Sequence, residues 1–233
     1  MFYVMSDLHG CYEKYIRMLE ILKLGNHDLL YVLGDIIDRG GSGLSILMDM
    51  MKRGNIIPIL GNHEYMAYQV LRQLDVTVTK EDLHRRLMDT DNLPAYHLWM
   101  MNGGHTTLHE FLALDCQKRK QILEYIGNFD LFEELETGGR SFVLVHGGFT
   151  NFDCKKDLYD YSVGDMVWAR CIYTKQYFPD KYLVTGHTPT FMIDEQFDGK
   201  IYQKHRHIAI DCGAVYGKRL GCICLNNMEE YYV

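Results

Sequence analysis

No apolar run in this 233-residue chain approaches the roughly 20 residues that a membrane helix needs, so no membrane association is expected. Cysteine is present but unpatterned. Cys11, Cys116, Cys154, Cys171, Cys212, Cys222 and Cys224 make an odd count, and no two are spaced as CxxC. The chain opens on Met1-Phe2-Tyr3-Val4-Met5, a strand pattern, where a secreted protein would carry a charged-then-apolar leader. These lacks point to reduced thiols in a cytoplasmic protein, and Cys222 and Cys224 read as core-facing residues of one strand. Basic residues are in deficit. The formal net charge of −7 disfavours a broad footprint on nucleic acid, although a local basic cleft would survive it. There is no low-complexity stretch, long linker or internal repeat. The length suits a single α/β domain over 1–233, or at most two, and with 47% apolar residues a sizeable core is within reach.

What the chain does have is one design used five times: a short apolar strand that ends in a polar cluster. The central copy follows Leu29-Leu30-Tyr31-Val32-Leu33 and precedes Leu44, Leu47, Met48 and Met51, which are apolar at helical spacing. Between them lies Gly34-Asp35-Ile36-Ile37-Asp38-Arg39-Gly40-Gly41. Turns of this kind, at the carboxyl ends of strands, line the ligand crevice of open α/β sheets. Asp35 is the candidate bridge between two metal ions, with Asp38 and Arg39 in support; the alternative is a surface turn with a local salt bridge.

Phe2 to Met5 runs into Ser6-Asp7-Leu8-His9-Gly10, where Asp7 and His9 would point to one side of an extended backbone and could grip one ion. Asn55 to Leu60 delivers Gly61-Asn62-His63-Glu64 and a helix from about Tyr65 to Leu74, with Pro58 arguing against a fully paired central strand. Asn62 offers a carbonyl oxygen, and His63 is the residue type for proton transfer near neutral pH. Ser141 to Val145 precedes His146-Gly147-Gly148, and Tyr182 to Thr185 precedes Gly186-His187-Thr188-Pro189. One such histidine would be structural; five clusters in succession are hard to explain as unrelated turns.

The rest of the chain is plainer. Tyr12, Tyr15, Ile16, Leu19 and Leu22 make one apolar helix face, ended by Gly25-Asn26. Residues 75–135 are charged and helical in pattern and read as a helical insertion over the sheet. Thr79 with Asp82 resembles a capping pair, and Asp115 could cap a helix over Gln117 to Ile126. His84, His97, His105 and His109 read as solvated or hydrogen-bonded structural histidines. Asp165 to Arg170 is a short helix ending in a cation that could simply pair with Asp165. His207 to Gly213 and Leu220 to Leu225 read as two strands joined by a glycine-containing turn.

Asp7, His9, Asp35, Asn62, His146 and His187 supply three oxygen and three nitrogen donors, a mixture that suits Mn, Fe, Zn or Ni better than Ca or Mg. On these segments the sequence resembles the calcineurin-like metallophosphoesterases, in their phosphoprotein phosphatase branch. The matching motifs are Asp7-x-His9-Gly10, Gly34-Asp35-x-x-Asp38-Arg39-Gly40, Gly61-Asn62-His63-Glu64, His146-Gly147-Gly148 and Gly186-His187-Thr188. Trp99 with Asn102-Gly103-Gly104 is similar to a segment of bacterial members, including lambda-type phosphatases and symmetrical diadenosine tetraphosphatases.

The resemblance implies an α/β fold, a β-sandwich flanked by helices. It implies two divalent transition-metal ions, manganese foremost. Asp7, His9 and Asp35 would hold one, and Asp35, Asn62, His146 and His187 the other. It further implies His63 as general acid with Asp38 as its carboxylate partner, and Arg39 and Arg170 as phosphate-binding arginines beside Asn62 and His63. The expected reaction is hydrolysis of a phosphomonoester by direct attack of metal-bound hydroxide, on serine/threonine phosphoproteins or a small phosphorylated substrate. The alternatives are symmetrical hydrolysis of diadenosine tetraphosphate and a non-catalytic phosphate-binding protein on the same fold.

Overall fold

The computed structural model describes residues 1–73, 82, 85, 86 and 93–233. Its elements in order are β1 (Phe2–Met5), α1 (Tyr12–Leu22), β2 (Leu29–Leu33), α2 (Gly43–Met50), β3 (Ile56–Ile59), α3 (Asn62–Leu71), α4 (Leu93–Met101), α5 (His105–Ala113) and α6 (Cys116–Ile126). After these come β4 (Phe132–Thr137), β5 (Arg140–Val145), α7 (Val163–Val167), β6 (Lys181–Thr185), α8 (Thr190–Ile193), β7 (Tyr202–Lys204), β8 (His207–Ala209), β9 (Gly221–Cys224) and β10 (Glu229–Tyr232). None of the described helices is long and apolar enough to cross a membrane.

Two mixed five-stranded sheets, in the orders β10-β9-β1-β2-β3 and β4-β5-β6-β8-β7, lie face to face with helices outside. Alternation along each strand builds the layers. In β1, Val4 joins Leu33, Phe142, Leu144, Val184 and Ile223 in the core between the sheets. Its neighbours Tyr3 and Met5 face the other way, against Tyr15, Met18, Leu47, Met66 and Trp99 from the helices. On the outer face of the second sheet, Val143, Val145 and Leu183 pack with Phe149, Tyr161, Met166 and Phe178. Strands buried on both faces read as unbroken apolar runs, as these do. This is the α/β sandwich flanked by helices that the sequence implied.

β1, β2 and β3 run parallel, as do β5, β6 and β8, so their carboxyl ends collect at one rim. Pro58 sits in β3, at the edge of its sheet, where a missing amide is tolerated. Cys222 and Cys224 of β9 are fully buried on one face, as expected.

Four expectations are corrected. The charged stretch does not stay helical to Leu135: β4 begins at Phe132 and forms an edge of the second sheet. The two tail strands are joined not by one turn but by the longer segment 210–220, which leads from β8 in one sheet to β9 in the other. The third helix starts at Asn62, not near Tyr65, so Asn62 and His63 lie in its first turn. The first helix ends at Leu22, and Lys23, with a left-handed φ of 45°, caps it before Gly25. Asp115 does cap α6, its Oδ1 accepting from the Lys118 amide at 2.8 Å. His97, His105 and His109 are exposed; Thr79 and His84 lie outside the described residues.

Candidate metal centre

Backbone bonds continue past the ends of β1 and β2 and tie their loops together: Asp7 to Gly34 (3.1 Å), His9 to Asp35 (2.8 Å) and Gly10 to Ile36 (2.8 Å). The loops are not extended. Asp7, His9, Asp35, Asp38, Arg39 and His187 all adopt positive φ, between 40° and 69°. The expectation that Asp7 and His9 share the side of an extended strand is therefore replaced by left-handed turns. Each such residue costs on the order of 1 kcal/mol, and strain of this kind persists where surrounding bonds hold it. Much of the holding falls to Glu64. Its buried carboxylate accepts from the amides of Asp35 (2.8 Å), Ile36 (2.7 Å), Ile37 (3.1 Å) and Gly61 (3.2 Å). Any side chain at Gly61 would collide with the Asp35 amide and carboxylate, so the close crossing of these two loops requires glycine there.

Two groups of donors result. His9, Asp35 and His63 each place a ligand atom within 4.8 Å of the other two, and so do Asp35, His146 and His187. Asp35 is common to both. Asn62 joins the second group, its Oδ1 lying 2.9 Å from His146 Nε2 and 2.9 Å from His187 Nδ1. Asp7 stands just outside both three-residue groups and accepts from the His187 amide at 3.0 and 3.2 Å.

The chemistry of this set fits divalent cations. His9 and His146 each use Nδ1 on a backbone carbonyl, that of Ile37 (2.9 Å) and of Leu33 (2.7 Å), so each presents Nε2 to the centre. Burial holds the pKa of His9 and of His187 down to about 3, leaving neutral imidazoles of the kind metals bind. Burial and then the Asp35 carboxylate push Asp7 up to about 7. Burial also opposes the charge on Asp35, but His146 and His63 outweigh it and hold Asp35 well below the carboxylate range. His146 goes the other way: Asp35 overcomes its burial and raises it to about 10. Buried acids crowded against acceptor nitrogens call for positive charge among them, which a proton or a metal cation supplies.

His63 is set apart from the donors by what holds it. Its Nδ1 lies 2.7 Å from Asp38 Oδ2, and both residues are fully buried. Asp38 in turn accepts from Trp99 Nε1 at 2.9 and 3.1 Å, and its amide donates to Thr107 Oγ1 at 2.9 Å. Burial works against a charged His63, yet the Asp35 and Asp38 carboxylates prevail and raise its pKa. Arg39 Nη1 and Nη2 reach His9 Nε2 (2.8 Å) and His63 Nε2 (3.0 Å), and its amide donates to Gly103 O. Arg170 does not pair with Asp165, which caps α7 through Ser162; Arg170 Nη1 donates to Thr188 Oγ1 at 3.3 Å, beside His187.

Sequence reasoning missed two members of this neighbourhood. Asp211 follows β8 at the same rim, is buried, and is pushed well above the carboxylate range by burial and then by Asp7. The signal was available: an acid just past a strand and before glycine, the same design a sixth time. Glu64 was quoted in its motif without a task, and nothing local announces the four amides it binds.

Comparison with known proteins agrees with this geometry. The family model of calcineurin-like phosphoesterases matches residues 1–203. Serine/threonine-protein phosphatase 2 of Salmonella typhimurium is 27% identical over 72% of this chain and 67% of its own length. A symmetrical bis(5'-nucleosyl)-tetraphosphatase of Wigglesworthia glossinidia brevipalpis is 27% identical over 50% of this chain and 41% of its own. The chain thus spans about two thirds of the first relative and less than half of the second. The crystal structure of a putative diadenosine tetraphosphatase superposes with a TM-score of 0.65 at 13% identity, over 100% of this chain and 92% of that one, which speaks for the fold. A match over most of the length, on a rim of carboxylates and imidazoles that suits metal ions, makes this chain a member of the calcineurin-like phosphoesterase family.

Proposed function

We propose that the chain hydrolyses phosphate esters in one displacement, with water attacking phosphorus and the ester oxygen leaving. The observation that carries this reading is the sharing of Asp35 by two clusters of donor atoms, one of which includes His63, locked on Asp38. Asp7, His9 and Asp35 would hold one cation, and Asp35, Asn62, His146 and His187 the other. When bound, two such cations would supply Lewis acidity, activating the attacking water and neutralising phosphate charge. Manganese suits the mixed donor set, with iron, zinc and nickel as further candidates.

The side chains do the rest. As the phosphorus–oxygen bond to the leaving group breaks, His63 passes its proton from Nε2 to that oxygen, and Asp38 steadies the ring through Nδ1. The raised pKa of His63 favours the protonated form this step needs. A lone pair serves one partner at a time, so Arg39 would leave His9 Nε2 for another partner once that nitrogen served as a ligand. Arg39 and Arg170 then offer planar forks to the phosphate oxygens, with Asn62 and His63 alongside. Arg170 is supported in this role by its position on Thr188, next to His187.

For the substrate, the Asp38-Arg39 pair favours phosphoserine and phosphothreonine in proteins, the branch in which the first relative falls. The second reading, hydrolysis of a dinucleoside polyphosphate, is favoured by a groove of about 600 Å³ that includes Trp168, Arg170 and Lys175 in its lining, with the Trp168 ring 6.4 Å from that of His187. A purely phosphate-binding role would have no use for the His63–Asp38 pair. The deciding experiment is a panel on manganese-loaded protein: a serine phosphopeptide, diadenosine tetraphosphate, an aryl monoester and a diester. Release of phosphate from the phosphopeptide or the aryl monoester supports ester hydrolysis by this site, cleavage of diadenosine tetraphosphate alone supports the second reading, in which a phosphoanhydride is the bond broken, and inertness toward all of them contradicts both.

A further inference from the structure

The leaving oxygen departs on the side of the centre that His63 Nε2 faces, and one exposed aromatic side chain stands there. Arg39 Nη2 lies 3.0 Å from His63 Nε2, while Arg39 Nη1 donates to Tyr216 Oη at 3.3 Å. A single guanidinium thus spans the distance from the proton donor to Tyr216. The Arg39 Cζ atom is 5.9 Å from the centre of the Tyr216 ring. Tyr216 is 52% exposed, so about half of this residue faces solvent within one side chain's reach of buried His63.

The ring is held in place by a built turn. Tyr216 ends the single helical turn Ala214–Tyr216, which is bounded by Gly213 and Gly217 at φ of 78° and 77°. The Gly213 amide donates to Asp211 Oδ1 (3.0 Å), and the Tyr216 amide to Gly213 O (3.0 Å). Lys14 of α1 ties the turn down, its Nζ donating to Ala214 O at 2.9 Å, and Arg219 Nε donates to Gly199 O at 2.7 Å. Phe191 of α8, four residues after His187, meets the Tyr216 ring edge-on at 5.8 Å. The cations around the turn are already engaged: Lys14 and Arg219 on carbonyls, and Lys218 on Asp198 at 2.7 Å. What the turn offers a substrate is therefore an aromatic surface and not free charge.

We infer that Tyr216 determines specificity on the leaving-group side, and that it selects phosphoserine or phosphothreonine segments in which an apolar residue, best an aromatic one, adjoins the phosphorylated residue. This rests on the phosphoprotein reading and narrows it. With phosphorus at the metal centre and the ester oxygen at His63 Nε2, the chain carrying that oxygen passes beside Arg39. Consecutive Cα atoms are about 3.8 Å apart, so the side chain of the adjoining residue comes within reach of the Tyr216 ring. Aromatic side chains pair edge-to-face or offset with their centres about 4.5–7 Å apart, and Tyr216 already makes one such contact with Phe191. An acidic residue in the same place gains little, because Lys14, Lys218 and Arg219 are spent on their own partners.

Three serine phosphopeptides that carry Phe, Ala or Glu on both sides of the phosphoserine test this. On manganese-loaded wild type, kcat/KM for the Phe-flanked peptide should exceed that for the Ala-flanked one about tenfold, the scale of an aromatic pair. Tyr216→Ala should bring that ratio close to one, and Tyr216→Phe should retain it, since the ring and not the hydroxyl makes the contact. A ratio near one in the wild type, a preference for the Glu-flanked peptide, or an unchanged ratio in Tyr216→Ala would overturn the assignment. So would a ratio lost in Tyr216→Phe, which would reduce Tyr216 to a support for Arg39. Binding can be followed apart from turnover: fluorescence anisotropy of the labelled peptides on manganese-loaded His63→Asn protein should give the same order, and equal affinities would overturn the assignment as well. The parent reading fails separately. A wild type inert toward all three peptides refutes phosphoprotein hydrolysis, while tighter binding of the Phe-flanked peptide would still support the role of Tyr216.

Discussion

The strand-end loops and the helices over residues 93–126 meet at Asp38, and they contribute to the site in opposite ways. The strand-end loops supply every proposed metal donor but Asn62, which opens α3, and at Asp7, His9, Asp35 and His187 they bend through left-handed backbone to do so. The helices supply no donor. They hold the acid that orients His63: Trp99 from α4 and Thr107 from α5 bind Asp38, and Gly103 O between them binds the Arg39 amide. Even the double glycine has a reason, since a side chain at Gly104 would collide with the Trp99 indole. The lesson is a division of labour. The chemistry is local in sequence, while its alignment is imposed from some 60 residues away.

That division can be broken at several strengths. The strongest test is His63→Asn. It should retain metal and lose about 10²–10⁴-fold in turnover on an alkyl phosphate, with a smaller loss on an activated aryl phosphate whose leaving group needs less protonation. Equal losses on both would remove His63 from the donor role. Next comes Arg170→Ala, expected to lower turnover about ten- to hundredfold and to weaken inhibition by inorganic phosphate, as suits the loss of charge-assisted bonds; Arg39→Lys should impair turnover too, since it keeps the charge but not the fork. Wild-type kinetics and phosphate inhibition in Arg170→Ala would leave it a surface residue.

Trp99→Phe speaks to the helices alone. It deletes one hydrogen bond to Asp38 with the ring volume nearly kept, and it should cost about tenfold in turnover with metal content unchanged. Combined with His63→Asn it should cost little more than His63→Asn by itself, because both act through one proton transfer. Additive losses would mean that α4 acts on the site by another route.

A histidine outside both regions gives the smallest effect. His207 is buried in β8, and burial alone pushes its pKa down to about 3. The unfolded chain takes up that proton near the ordinary imidazole value of about 6.5, and the folded chain resists it. The stability it contributes is therefore complete above about pH 6.5 and is lost progressively as the pH falls toward 3. In denaturant titrations, His207→Gln should gain on the wild type as the pH is lowered through that window. Parallel pH profiles would show that His207 is not the group responsible.

Legibility followed the same division. Asp35, His63 and the lone histidines after β5 and β6 could be read because a strand pattern and a polar cluster lie side by side in the sequence. The backbone handedness of Asp7 and His9 could not, since it is enforced by amide bonds to the loop after β2. β4 was mistaken for helix because Phe132 to Thr137 is an edge strand rich in glutamate, with little of it buried. β8 and β9 look alike in sequence, and only their partners, β6 and β1, separate them into two sheets. The Trp99–Asp38 bond spans 61 positions and leaves no local trace.

The central claim is that Asp35 joins two cation sites into one centre, and metal counting tests it most directly. After reconstitution with manganese and removal of free ion, the wild type should carry about two equivalents per chain, and Asp35→Ala should lose occupancy at both sites while remaining folded by circular dichroism. A folded Asp35→Ala protein that still holds two equivalents would contradict the account.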